Sequence, residues 1–273
     1  MTAGGRCLGL ARPAALAYLR GVQSFDPPRA PARQPIFNVP GIVVALAAVM
    51  GAIEAVRSLL LSPDADIEIL ALFAFIPARF DSGAPFVLPG GVWAQVWSFV
   101  TYAFLHGSWV HLLVNLVWML AFASPVARRF GPVRFALFVV VTAAFGALAH
   151  LVSYPDAMVP MVGASAVVSG AMAAAIRFAF APGGALGPRF GGSPNHYQPA
   201  AGLLDALRDR RVLGFIGVWV AINLLFGIGI SLPGTEGGEV AWQAHLGGFF
   251  AGLLLFSLFD PVPAGPRRPR FSS

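Results

Sequence analysis

Tyr102–Phe122 reads YAFLHGSWVHLLVNLVWMLAF, a run with no Asp, Glu, Lys or Arg that nonetheless carries His106, His111 and Asn115 among leucine, valine and tryptophan. As a helix it is long enough to cross about 30 Å of hydrocarbon. Polar side chains at such depth are costly, so they face a protein interior, as structural glue or as functional groups. His111 and Asn115 are four residues apart and share one helical face. Five further runs have the same character: Ile42–Leu61, Pro132–Val152, Met161–Phe180, Val212–Leu232 and Val240–Phe259. The expected fold is therefore an all-α polytopic membrane protein, a six-transmembrane-helix bundle with both termini on one side.

Composition supports lipid as the solvent. Of 273 residues, 57% are hydrophobic and 11% charged, with a mean hydropathy of +0.74; soluble domains carry about 25% charge. This excludes an ordinary cytosolic enzyme, a disordered chain and a collagen-like one. The net charge of +6 would suit nucleic acid only if it formed a compact patch. Instead the basic residues, all arginine, fall in short bursts between apolar runs, so no nucleic-acid partner is expected. Cys7 is the single cysteine, which rules out an intrachain disulfide. No metal or cofactor is expected either, as no His-Glu-x-x-His spacing occurs.

Arginine placement sets the orientation, since cytoplasmic segments hold the basic excess. Sixteen of the 18 arginines lie in the N-terminal tail, the 2–3 and 4–5 connections with their flanks, and the C-terminal tail; Arg57 and Arg79 do not. Both termini are thus expected in the cytoplasm, in a bacterial inner (plasma) membrane. Residues 1–36 read as a disordered tail, 37–260 as the membrane domain and 261–273 as a second cytoplasmic tail. Glu54 and Arg57 read as a structural pair, with Arg57 free to snorkel outward. The 1–2 loop contains an apolar run, Ile69–Pro77, that is too short to cross and reads as interfacial or part-inserted. Pro182–Pro199 reads as flexible loop, followed by a short amphipathic helix around Leu203–Asp209. Tyr102, Trp109 and Trp242 read as interface anchors.

In this orientation spans 2, 4 and 6 run from outside to inside, each with its polar residues near its start. Ser165 lies four residues into span 4 and His245 five into span 6, about 6 to 8 Å below the outer boundary. His111 and Asn115 fall deeper in the same leaflet. A serine hydroxyl becomes a nucleophile when a neighbouring base removes its proton, and neutral imidazole does so near pH 7; His245 is the candidate base. The oxyanion formed on attack needs donors already in place, which the Ser165 backbone N–H, the Asn115 amide and a His111 ring nitrogen can supply. Gly163, Ala164 and Ala166 flank Ser165 with small side chains. Gly248 and Gly252 form a small-xxx-small pair suited to close contact between spans 4 and 6. His106 reads as a cap or brace at the start of span 2.

Three motifs, His106-Gly107-Ser108-Trp109-Val110-His111-Leu112-Leu113-Val114-Asn115, Gly163-Ala164-Ser165-Ala166 and Ala244-His245-Leu246-Gly247-Gly248, together resemble the rhomboid intramembrane serine proteases. The resemblance runs from about Phe37 to Asp260. It implies Ser165 as nucleophile and His245 as base in a two-residue dyad, His111 and Asn115 completing the oxyanion hole, and a membrane-associated 1–2 loop. The implied partners are single-span membrane protein substrates and the lipid bilayer; no oligomeric state follows. Three positions depart from the family pattern: Ala166 replaces the usual glycine after the nucleophile, Ser169 the aromatic ring that stacks on the histidine, and Trp97-Ser98 a Trp-Arg pair. The alternative function is a catalytically inactive rhomboid-like protein that binds transmembrane segments. A small-solute transporter would call for polar residues in both leaflets or repeated broken helices, and neither is evident.

Overall fold

The computed structural model of the chain describes Met1 and residues 39–81, 83, 87–181, 183–186, 195–227 and 240–263. Residues 2–38, 264–273 and half of Pro182–Pro199 (182 and 187–194) lie outside the described residues, so the expectations for them stay as stated above. Among the described residues the structure is helical, with one isolated antiparallel bridge between Phe75 and Met161.

Helix α1 (Gly41–Leu59) buries Val43, Met50 and Glu54 along one stripe and turns apolar side chains such as Val44 and Val49 outward. The 1–2 connection folds into α2 (Pro63–Phe73), a 3₁₀ turn (Pro77–Phe80) and α3 (Gly91–Thr101). The apolar run Ile69–Pro77 splits in two. Its first part ends α2, which buries no residue, whereas Ala74, Phe75 and Ile76 pack into the protein, with Phe75 paired to Met161. What reads as grease for the membrane is, in its second part, core.

Span 2 departs from its expected bounds. Tyr102–Phe104 is a separate 3₁₀ turn, and a new helix starts at Trp109, its first turn capped by the Ser108 hydroxyl accepting from the His111 N–H at 3.2 Å. From there α4 (Trp109–Trp118), a π-helical turn (Met119–Ala123) and α5 (Ser124–Phe130) run on as one 22-residue rod. Gly131, at φ +78°, supplies the left-handed corner from which α6 (Pro132–Ser153) departs. The rod carries Arg129 inside the fold instead of in the loop: its guanidinium meets both Asp260 carboxylate oxygens at 2.8 Å and sits 4.8 Å from the Phe178 ring centre. A buried, fully paired charge of this kind is costly to break by removing one partner.

Helix α7 (Ser165–Ala179) is shorter than the expected Met161–Phe180, and every residue from Ala166 to Ala179 is buried. A helix buried all round is the centre of a bundle. A short α8 (Leu203–Ala206) forms a single turn within the stretch expected to be an amphipathic helix. Helix α9 (Arg210–Gly227) covers the expected span from Val212 as far as Gly227, and 228–232 lie outside the described residues. Helix α10 (Trp242–Phe259) closes the bundle against α6 and α7.

Glycine makes that closure possible. A Cβ on Gly248 would collide with the Ala166 carbonyl oxygen, and one on Gly252 with that of Gly170. The two contacts advance together along both chains, so α7 and α10 run parallel with their backbones touching. Four helices, Gly41–Leu59, Trp109–Phe130, Pro132–Ser153 and Trp242–Phe259, are long and apolar enough to cross a membrane, and Ser165–Ala179 is a shorter apolar helix. Exposed side chains such as Leu113, Val117, Leu137, Leu254 and Leu258 give these helices an apolar exterior, as a lipid-facing surface requires.

Candidate active site

Ser165 is the first residue of α7, and the strand-like segment before it is tied down. Met161 pairs with Phe75, and the Gly163 N–H donates to the Tyr102 carbonyl at 3.0 Å. The Tyr102 hydroxyl in turn donates to the Ala143 carbonyl on α6 at 2.9 Å. Tyr102 is 1% exposed and so is a scaffold residue of this site instead of the interface anchor its position suggests. Gly163 adopts φ +118°, a conformation closed to residues with side chains. The space its missing Cβ leaves is occupied by His111: a Cβ there would lie 2.8 Å from His111 Nε2 and 3.8 Å from Asn115 Nδ2. His111 and Asn115 therefore converge two residues ahead of Ser165.

The supports behind them are built in layers. Asn115 Nδ2 donates to the His111 carbonyl at 3.0 Å, which fixes the amide and leaves its second N–H free to serve elsewhere. The His106 ring stands edge-on to that of His111, centroids 5.2 Å apart. Ser108, not His106, caps the helix. The His106 carbonyl accepts from Arg57 Nη1 at 2.6 Å. Arg57 also pairs with Asp66 at 2.7 Å and with Glu54 at 3.5 Å. The Glu54–Arg57 pairing is as expected, whereas the snorkelling is not: the Arg57 side chain is 8% exposed and clamps α1, the start of α2 and the His106 loop together.

The departures from the family pattern also resolve into contacts. Ala166 lies against Gly146 and Gly248, where a larger side chain has no room. The Ser169 hydroxyl turns back on its own helix and donates to the Ser165 carbonyl at 2.8 Å. Ser98 is buried and brings no charge to the 1–2 loop, but Arg79 does: it donates to the Pro89 carbonyl at 2.7 Å and to that of Ala71. Trp97 Nε1 donates to the Leu72 carbonyl at 2.9 Å, and Thr101 to that of Phe73 at 2.7 Å. The loop is anchored by an arginine from its own far side.

His245 is the fourth residue of α10 and lies one turn before Gly248 on the face turned to α7. With Gly248 level with Ala166, His245 lies level with Gly163, about 3 Å along the axis from Ser165. Both residues are half-buried. Among the described residues no hydrogen bond joins them; bonds of this kind commonly tighten only when substrate arrives. The bond His245 does make is to Asn223 on α9, with Nδ1 2.6 Å from Oδ1. The sequence reading passes over Asn223, although it is a polar side chain in an apolar span, the same signal that selects the others. A cavity of about 1850 Å³ opens at the far end of α7 near Arg177, Leu203, Arg211 and Leu254, and neither Ser165 nor a histidine lines it.

The arrangement combines a half-buried hydroxyl at a helix N-terminus, an imidazole at the same level, and ring and amide donors beside the intervening backbone. Such a set can carry out acyl transfer. Residues 93–260, more than half of the chain, match the family model described as the Rhomboid domain. No match is found among curated proteins.

Proposed function

Because this chain belongs to the rhomboid family, a family of intramembrane proteases, and is an integral multi-pass membrane protein, we propose that it is an active serine endopeptidase cleaving transmembrane segments of other proteins. Ser165 Oγ attacks the scissile carbonyl while His245 takes its proton. The oxyanion is met by the Ser165 backbone N–H, the second Asn115 N–H and His111 Nε2. His245 then returns the proton to the leaving amine, and water repeats the sequence to release the acyl product. The dipole of α7 favours the developing negative charge at its first residue.

The observation that carries the reading is the convergence of the His111 ring and the Asn115 amide on the side-chain-free Gly163, two residues before Ser165. A structural polar cluster does not need a bare methylene held at φ +118° beside donors at a helix N-terminus. In the proposed topology α7 and α9 complete six crossings, both termini are cytoplasmic and the site lies in the outer leaflet, with α2 at the membrane surface. A single-span substrate enters laterally and must unwind locally, because helical carbonyls are hydrogen-bonded and shielded.

The test is cleavage of a single-span model substrate by the purified protein in detergent or liposomes. Ser165→Ala is expected to abolish cleavage, a loss on the order of 10⁶-fold. Cleavage that persists in that variant overturns the proposal, and a wild-type chain that binds transmembrane segments without cutting them supports the inactive-binder alternative.

A further inference from the structure

We infer that Asn223 is a positioning residue that sets the tautomer of the His245 imidazole. The inference rests on the reading of His245 as the base. It begins from the Asn223 amide, whose orientation is fixed independently of the histidine. Asn223 Nδ2 donates to the Trp219 carbonyl at 2.8 Å, and a carbonyl can only accept. The other end of the amide, Oδ1, is therefore the atom 2.6 Å from His245 Nδ1. An amide oxygen can only accept too, so Nδ1 must carry the hydrogen. Nε2 is then the unprotonated nitrogen, the one with a lone pair for the Ser165 hydroxyl.

The surroundings hold this geometry. Trp219, Asn223 and Gly227 lie at i, i+4 and i+8 on one face of α9, and all three meet α10. The Trp219 ring stacks on Phe249 with centroids 4.2 Å apart. Gly227 lies against the Trp242 ring, where an added Cβ would stand 3.1 Å from the nearest ring atom. Asn223 itself is 4% exposed, so water does not compete for its oxygen. During attack Nε2 gains the Ser165 proton, and the imidazolium keeps its Nδ1–H on Asn223 Oδ1. The proton then leaves from Nε2 to the departing amine. Asn223 gains and loses nothing throughout; it keeps the ring oriented and the wrong nitrogen occupied. With Ser169 in place of a stacking ring, this bond is the side-chain hydrogen bond that holds the imidazole among the described residues.

The alternative is that Asn223 merely glues α9 to α10, as polar bridges between spans commonly do. Two measurements separate these. In ¹⁵N-histidine-labelled Ser165→Ala protein above the His245 titration, Nδ1 is expected to be the protonated nitrogen, and Asn223→Leu in the same background is expected to shift the proton towards Nε2. In the otherwise native chain, Asn223→Leu is expected to lower kcat about 10- to 100-fold, as loss of an orienting partner commonly does, with KM changed less than about threefold. An Nε2–H tautomer in the presence of Asn223, or a kcat per folded molecule unchanged in Asn223→Leu, overturns the inference. If Asn223→Leu does not fold, the tautomer with Asn223 present still decides. Failure of the protease reading shows separately, as cleavage that survives Ser165→Ala.

Discussion

His245→Ala is expected to lower cleavage of a single-span substrate by roughly 10⁴- to 10⁶-fold while leaving the fold intact, since removing the base of a hydroxyl–imidazole pair costs nearly as much as removing the pair. Without the imidazole the Ser165 hydroxyl keeps its proton at neutral pH and the leaving amine has no acid. What survives is binding and the oxyanion donors, which give residual rate only. The fold is expected to survive because α10 is held by the glycine contacts one and two turns further along, at Gly248 and Gly252, and by the Trp219–Phe249 stack. Initial rates and a thermal unfolding midpoint on the same preparation check both halves. A variant that retains more than about a hundredth of the native rate is incompatible with His245 as base, because loss of a mere donor costs about 10²- to 10³-fold.

Gly248→Val is expected to have the largest structural effect of any single added side chain in the described core. Its Cβ would collide with the Ala166 carbonyl, and a backbone oxygen cannot turn aside as a flexible side chain can. α10 would have to move off α7, opening the contact that keeps Ser165 and His245 level. Overpacking costs about 1 to 3 kcal/mol, occasionally more. Here the displaced neighbour is main chain on both sides, so the loss belongs at or above the upper end. A thermal midpoint lowered by several degrees, together with loss of cleavage, is the expected result. Gly217→Ala is the control: it lies in α9 with nothing within 4 Å of an added Cβ, and alanine favours helix. A Gly248→Val protein as stable and active as Gly217→Ala would show that α7 and α10 do not touch as described.

The sequence makes the catalytic candidates legible because each is a polar side chain in an apolar run, where it must face the protein interior as glue or as a functional group. Ser165, His245, His111 and Asn115 all stand out this way, and the helical period puts the last two on one face. Other features are set by tertiary contacts that hydropathy does not register. The uncharged run continues from Tyr102 to Phe122, so hydropathy cannot show that Ser108 caps a fresh helix and leaves Tyr102 in the core. Arg57 looks able to snorkel because its partners, Asp66 and the His106 carbonyl, are distant in sequence or on the main chain. Arg129 looks like loop charge because Asp260 lies 131 residues away. The absence of arginine beside Trp97 leaves the loop's anchor unassigned from sequence, whereas Arg79 reaches the loop carbonyls from the opposite direction. Asn223 differs from all of these, since the rule that marks intramembrane polar residues applies to it directly.

The central claim is that Ser165 is a hydroxyl activated by His245. Treating the purified chain with a fluorophosphonate and locating the adduct by mass spectrometry tests it most directly, because the probe reacts only with a nucleophilic serine and needs no substrate. A single phosphonyl group on Ser165, lost in Ser165→Ala and strongly reduced in His245→Ala, is the predicted result. A chain that stays unmodified, or carries its adduct on another serine, would contradict it.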